Sequence, residues 1–247
     1  MRKFILLWVA GMVSTLLALP YVFTLQHEVL VQTSLPLVYI VLLAVVQASI
    51  ALTIALFFGL KLSRKIGVPV LELFDTCRGV QKNVRRVASL AVPLGVVVGL
   101  LIIFLDMFFA SSMPTIREVA QGIAPWKALL VAPYGGVVEE ILLRLFVVSL
   151  FAWLLGLVTR TRTKDVNKSA GIMWTAIILS AVLFGLGHLP ATASIVSITP
   201  LVVVRAVLLN GVGGLVFGWL FWKKGLEYAM VAHFTADIVL HVLLPLV

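Results

Sequence analysis

Of the 247 residues, 62% are hydrophobic and only 12% are charged, whereas an ordinary soluble domain has roughly 45–50% and 25%. The mean hydropathy of +1.17 and several apolar runs long enough to cross a bilayer indicate a multi-span integral membrane protein. This composition excludes a soluble globular enzyme, a disordered chain and a disulfide scaffold. The single cysteine, Cys77, carries no information about the redox compartment.

In chain order, the apolar runs predict about seven membrane spans, within a range of six to eight, in one integral membrane domain over 1–247. Each span must be helical, because an unpaired backbone amide in hydrocarbon costs several kcal/mol. The expected fold is therefore an all-α transmembrane bundle. The first run continues to about Leu25, which is longer than a secretory signal, so we expect a retained helix. The predicted spans are about 4–26, 35–60, 87–109, 127–158, 170–189, 198–222 and 226–247.

Basic residues are concentrated in alternate connections between these spans. With the N-terminus inside, the inner segments hold 15 of the 19 lysines and arginines, and the outer ones hold only Arg117 and Lys127. This bias predicts an N-inside, multi-pass protein of the cell membrane. It also explains the net charge of +9 without a nucleic-acid partner.

The longest connection, 61–86, is basic and also contains apolar residues. Two interpretations are open: an amphipathic segment lying on anionic membrane lipids, or a solvated loop that only fixes topology. The interleaved apolar residues are Ile66, Val70, Leu71, Leu73 and Phe74.

Ionisable residues inside the spans are the informative ones, since each costs about 2.5–3.5 kcal/mol or more near a span centre. They cluster on the fourth, fifth and seventh spans, which could together form one interior cavity. The residues are Asp106, Glu139, Glu140, Arg144, His188, Arg205, His233, Asp237 and His241.

Helical spacing separates the two adjacent carboxylates of the fourth span. Glu140 and Arg144 are four residues apart and therefore share a face, the spacing of an intrahelical ion pair. Glu139 lies about 100° around an α-helix from Glu140 and cannot readily share the arginine. A carboxylate without a counter-ion in a low-dielectric site is suited to general-base work near neutrality. The expected base is Glu139.

The histidines allow two interpretations. His233 and Asp237 share a helix face, and Asp237 either takes part in chemistry or only hydrogen-bonds His233 so that both can be buried. Pro190 predicts a helix break that leaves His188 at a helix end, lining a cavity. His241 is interpreted as a packed histidine rather than a ligand.

The remaining charges and the small residues have packing explanations. Asp106 and Arg205 can pair across helices with no chemistry implied. Glycines four residues apart let helices approach closely, and two adjacent glycines before Glu139 would give the backbone room beside the carboxylates. These glycines are Gly95, Gly99, Gly214 and Gly218, and Gly135 with Gly136.

Three short motifs, in order on three separate spans, resemble those of the CPBP family. This family groups Rce1-type CAAX prenyl proteases with bacteriocin-processing and immunity proteins. The resemblance covers about 125–245, and the first 120 residues match only as hydrophobic helices. The motifs are Glu139-Glu140-x-x-x-Arg144, Phe184-x-x-x-His188 and His233-x-x-x-Asp237, with an Asn210-Gly-Val-Gly-Gly run before the last.

The resemblance implies an intramembrane endopeptidase acting on a peptide or a membrane-protein substrate. Glu139 and His188 would activate the attacking water, while His233 and Asp237 would stabilise the oxyanion or position the substrate carbonyl. Glu140, Arg144 and Phe184 would support them. The prenyl-protease branch usually has asparagine at the position of Asp237. An ionised aspartate cannot donate to an oxyanion, so here it would be protonated or would orient His233.

Metal dependence and activity stay open at this point. Glu139, His188 and His233 could supply three zinc ligands, but there is no H-E-x-x-H motif, and we favour a metal-free, glutamate-activated water. A second hypothesis is a non-catalytic immunity or scaffold protein that binds a partner through the same cavity. A third, a small secondary transporter, lacks any sign of two matching halves.

Counting along straight α-helices raises a difficulty. Glu139 would lie about 18 Å from the outer end of its span and His233 about 10 Å from the inner end of its own. These depths coincide only if helices are tilted or broken.

Overall fold

Seven long helices account for most of the protein. The structure is a computed structural model that describes residues 1–33, 35–71 and 80–246, except for the side chains of 80–82. Within these residues there is no strand, and seven helices are long and apolar enough to cross a membrane. This confirms the predicted all-α fold and the number of spans. The helices are α1 (Arg2–Leu25), α2 (Leu37–Ile66), α3 (Val80–Asp106), α4 (Pro125–Val158), α5 (Ala170–Gly187), α6 (Pro200–Lys224) and α7 (Leu226–Leu246).

The helix boundaries differ most from the predictions around the longest connection. Helix α2 continues to Ile66, and α3 begins at Val80, so both ends of the predicted 61–86 segment belong to spanning helices. The Leu71 amide donates to the buried carboxylate of Glu227 over 3.0 Å, which ties this connection to the start of α7. Leu73, Phe74 and Cys77 lie outside the described residues.

Local sequence signals set the helix ends. The Thr199 hydroxyl accepts from the Val202 amide at the start of α6, with Pro200 at the first helical position. Helices α6 and α7 are separated by Gly225 alone, whose φ of 114° is unfavourable for any residue with a side chain. This one-residue turn places the start of α7 directly beside the end of α6.

Small residues bring the helices of the site together, as the four-residue glycine spacing predicts. On α3, Gly95 lies against the Ala232 carbonyl and Gly99 against Val239 of α7. On α6, Gly214 and Gly218 lie against Ala181 and Ile177 of α5, respectively. Any Cβ at these positions would collide with the neighbouring helix. Helix α7 is therefore held closely by α3, and α6 by α5.

Two of the spanning helices are not regular α-helices. In α4, the segment Tyr134–Val148 forms 15 residues of π-helix between α-helical ends. In α7, a π-helical segment, Ile238–Leu243, follows the α-helical Leu226–Asp237. Such i→i+5 turns occur frequently at functional sites. Because the π turn differs from an α turn, the sequence estimates of depth and of the 100° separation of Glu139 from Glu140 do not hold in α4.

Candidate active site

His233 lies at the centre of three carboxylates from two helices. Its Nδ1 is 2.7 Å from Oε1 of Glu140. Its Nε2 is 3.6 Å from Oε2 of Glu139 and 3.7 Å from Oδ1 of Asp237. The structure therefore brings together the carboxylates of α4 and the histidine and aspartate of α7, despite the mismatch in depth estimated from straight helices.

Glu140 has two partners, one predicted and one missed. Its Oε1 is 3.1 Å from Nη1 of Arg144, the ion pair expected from their four-residue spacing, and both side chains are fully buried. The same oxygen accepts from Nδ1–H of His233. When both ring nitrogens carry a proton, His233 directs its Nε2–H toward Glu139 and Asp237. Spacing within one helix could not reveal this contact, because it depends on how α4 packs against α7.

Two aromatic rings enclose the Arg144 guanidinium. Its central carbon lies 4.8 Å from the centroid of the Phe184 ring and 5.4 Å from that of Phe217, both within the range of cation–π interactions. Phe217 also stacks on His233, with centroids 4.6 Å apart and planes at 22°. Phe184 was predicted as a supporting residue, and Phe217 was missed. The only signal for Phe217 is its position after Gly213 and Gly214, in the run noted before the last motif.

His188 occupies the helix end that Pro190 predicts. Helix α5 ends at Gly187, and Nδ1–H of His188 donates to the Phe184 carbonyl over 2.9 Å. This bond satisfies one of the carbonyls left unpaired at a helix C-terminus and leaves Nε2 as the free nitrogen. His188 lines the same cavity as Glu139, but among the described side chains neither a hydrogen bond nor an ion pair joins the two.

Gly135 explains why α4 and α7 approach so closely at the site. A Cβ on Gly135 would collide with Oδ2 of Asp237 and would lie 3.0 Å from Nε2 of His233. The neighbouring Gly136 lies against Phe234, where a Cβ would be 2.8 Å from the Phe234 Cβ. The two glycines thus give the backbone the room beside the polar groups that their position before Glu139 suggests.

A cavity of about 460 Å³ opens onto these residues, within the range of ligand-binding pockets. The side chain of Glu139 is 21% exposed, whereas that of Glu140 is 0% exposed. Of the two adjacent carboxylates, only Glu139 can therefore meet a water or a substrate in the cavity. The polar lining of the cavity includes Glu139, His188, Asn210, His233 and Asp237, together with Tyr21 and His241.

A metal site does not match the donors as the structure places them. Within the described residues, no three histidine, cysteine, aspartate or glutamate side chains are arranged to hold a metal ion. In the conditional ligand set, Glu139, His188 and His233, the Nδ1 of His233 is engaged by Glu140, so Nε2 is the nitrogen left to bind a metal.

The second intramembrane charge pair joins Asp106, the last residue of α3, to Arg205 of α6. Nη2 of Arg205 is 2.6 Å from Oδ1 of Asp106, and Nε donates to the same oxygen over 2.7 Å. The other Asp106 oxygen accepts from the Ile116 amide, at the start of the short helix Ile116–Gln121. The expected pairing of Asp106 with Arg205 is confirmed, and its contacts are structural.

Comparison with known protein families identifies the half of the chain that holds the site. Residues 121–239 match the family model described as type II CAAX prenyl endopeptidase Rce1-like. This part of the chain is similar to the Rce1-like family. The match begins just before α4 and includes Glu139, Glu140, Arg144, His188, His233 and Asp237, but neither α1 nor His241. Neither the curated proteins nor the solved structures give a match.

The matching family is a family of proteases, and this supports endopeptidase activity in general terms. The seven apolar helices make it an integral membrane protein. A protease of this kind takes peptide substrates within a membrane environment.

Proposed function

We propose that this protein is an intramembrane endopeptidase in which Glu139 activates water. One observation carries this proposal: of the two adjacent carboxylates, Glu139 faces the cavity while Glu140 is fully buried between Arg144 and His233. The two side chains are chemically equivalent, so their surroundings assign their roles. The exposed carboxylate is the base, and the buried one holds the histidine.

In the proposed reaction, Glu139 accepts a proton from water while the water oxygen attacks the carbonyl carbon of the scissile peptide bond. The free Nε2 of His188 accepts a hydrogen bond from the same water and orients it. The carbon–nitrogen bond then breaks, and Glu139 returns its proton to the leaving amine. General-base assistance of this kind contributes about 10²–10⁴-fold.

His233 stabilises the developing oxyanion. In its doubly protonated form it donates Nε2–H to the oxyanion while Glu140 accepts Nδ1–H. The Phe217 ring stacked on the imidazole fixes its plane. Asp237 contacts the same Nε2 at 3.7 Å, so in its ionised form it orients the imidazole and supports the positive charge.

The test is peptide cleavage by the purified protein in nanodiscs, followed by mass spectrometry. The probes are peptides with a C-terminal CAAX sequence, each made with and without a prenyl group on the cysteine. We expect cleavage by the native protein and its loss in Glu139→Gln, His188→Asn and His233→Asn, with unchanged thermal stability. Glu28→Gln is the matched control, because Glu28 is an exposed carboxylate outside the cavity.

Comparing the two peptide forms decides whether a prenyl group is required. Cleavage of the prenylated peptide alone would assign a lipidated substrate, and equal cleavage of both would assign a broader peptidase. Retained activity in all three site variants would remove the proposed mechanism. Peptide binding without any cleavage by the native protein would support the scaffold hypothesis instead.

A further inference from the structure

The proposed reaction leaves a need for a second hydrogen-bond donor to the oxyanion. Oxyanion sites use preorganised donors, and the loss of one typically costs about 10²–10³ in rate. Asp237 does not fill this role when ionised, since a carboxylate only accepts. Its Oδ2 also lies against Gly135, and its Oδ1 faces His233.

Three other donors in the cavity wall already bond to neighbouring groups. The Thr192 hydroxyl donates to the His188 carbonyl, and the Asn210 amide donates to the Ala206 carbonyl. Arg205 is held by Asp106. The Thr192 hydroxyl has only one hydrogen and would have to give up its existing bond to reach a substrate.

The Tyr21 hydroxyl instead faces a histidine side chain. Tyr21 projects from α1 into the cavity, is only 8% exposed, and has its hydroxyl 3.5 Å from Nδ1 of His241. The two rings meet edge to face, with centroids 5.8 Å apart. A separation of 3.5 Å is long for a hydrogen bond, but catalytic hydrogen bonds are often long in the absence of substrate.

The position of this pair along α7 suits a substrate carbonyl. His241 follows Asp237 by four residues, about one turn of the π-helical segment Ile238–Leu243, and both side chains line the cavity together with Tyr21. A peptide carbonyl between them could reach both His233 and Tyr21. When His241 donates Nδ1–H to the phenolic oxygen, the phenol hydrogen is left to point into the cavity.

From these contacts, and on the basis of the proposed peptidase function, we infer that the Tyr21 hydroxyl donates a hydrogen bond to the carbonyl oxygen of the substrate as it becomes an oxyanion. Tyr21 keeps its proton throughout, and no bond to it forms or breaks. His241 is the positioning residue, because it acts only by holding the phenol. Both residues lie outside the region that matches the protease family, so the motifs could not reveal them.

The test compares steady-state kinetics of single-hydroxyl variants on whichever CAAX peptide the native protein cleaves. We expect Tyr21→Phe to lower kcat by about 10²-fold with KM within about twofold of the native value. Tyr228→Phe is the matched control: Tyr228 is also a buried tyrosine, at 9% exposure, but does not line the cavity. Its kcat should stay within about twofold of native.

Two variants of His241 separate positioning from packing. His241→Asn keeps an N–H near the place of Nδ1 and should retain most of the activity, whereas His241→Leu should lose as much as Tyr21→Phe. The double variant Tyr21→Phe/His241→Leu should be no worse than Tyr21→Phe, since the two residues act as one unit.

Each alternative result overturns a different claim. Native kcat in Tyr21→Phe, with cleavage still abolished by Glu139→Gln, would disprove the role of Tyr21 and leave the protease intact. Thermal unfolding measures how much of the variant is folded. If kcat falls only in proportion to the loss of folded protein, Tyr21 is a packing residue and not a donor. If the native protein cleaves no peptide, the proposed function fails, and this inference fails with it.

Discussion

Two buried charge clusters in the same membrane bundle differ in how completely their polar groups are satisfied. Around Asp106, both carboxylate oxygens have donors, from Arg205 and from the Ile116 amide. Around His233, three carboxylates share one imidazole. There Glu140 Oε2 and the Arg144 guanidinium nitrogens have no hydrogen-bond partner, although one of these nitrogens lies 3.1 Å from Glu140.

The difference separates structure from chemistry. A buried polar group without a partner costs about 1–3 kcal/mol or more, so a fold gains nothing by leaving such groups unmatched. The contacts of the Asp106 cluster hold together α3, α6 and the short helix Ile116–Gln121. The His233 cluster retains an excess of acid, as expected of groups that act on a substrate.

The largest expected effect on activity comes from breaking the link between Glu140 and His233. Glu140→Gln replaces the acceptor of Nδ1–H with an amide and disturbs the imidazole tautomer. By analogy with the buried aspartate of a Ser-His-Asp triad, we expect cleavage to fall by about 10²–10⁴-fold. Asp106→Asn, the same change in the satisfied cluster, should leave kcat within about twofold. Equal losses in the two variants would erase the distinction between the clusters.

The largest expected effect on stability comes from Arg144→Ala. It leaves the fully buried Glu140 without its counter-ion and removes the cation between Phe184 and Phe217. Breaking a buried pair from one side costs about 3–5 kcal/mol. Denaturant unfolding in detergent should show this loss. Arg205→Ala should cost less, because the Arg205 side chain is 15% exposed and water can replace part of its contact. The reverse order would contradict this explanation.

A smaller effect on stability, with a clear effect on activity, is expected from Gly135→Ala. The added methyl group meets Asp237 and His233, so α4 must shift away from α7. Overpacking of this kind costs about 1–3 kcal/mol, and the shift should lower kcat at least several-fold. Gly171→Ala is the matched control, because its Cβ would meet nothing within 4 Å. Unchanged kcat in Gly135→Ala would show that the site tolerates a wider separation of the two helices.

Much of the fold was predictable because the membrane restricts the possible structures. Runs of about twenty apolar residues must form helices in hydrocarbon, and the predicted spans agree with the seven helices to within a few residues, except at the ends of α2 and α3. The π-helix of α4 was not predicted, because the sequence analysis assumed α-helical geometry along every span.

The same limit applies within the site. The intrahelical pair of Glu140 with Arg144 follows from spacing alone, and the structure contains it. Contacts between helices, such as Glu140 with His233 and Phe217 with His233, depend on crossing angles that one sequence does not encode locally. Tyr21 was missed for the same reason: a tyrosine in an apolar first span carries no signal until the fold brings its hydroxyl near His241.

The smallest effect is expected from two cysteine substitutions that test on which side of the membrane each cluster lies. The distribution of basic residues predicts that the connection holding Lys164 is inside, and that Ser112, close to the Asp106 cluster, is outside. In a Cys77→Ser background, Ser112→Cys and Lys164→Cys should leave both cleavage and unfolding unchanged. A membrane-impermeant thiol reagent applied to intact cells should label position 112 and miss position 164. The opposite labelling would invert the topology and place the Asp106 cluster at the inner surface, without altering the geometry that distinguishes it from the His233 cluster.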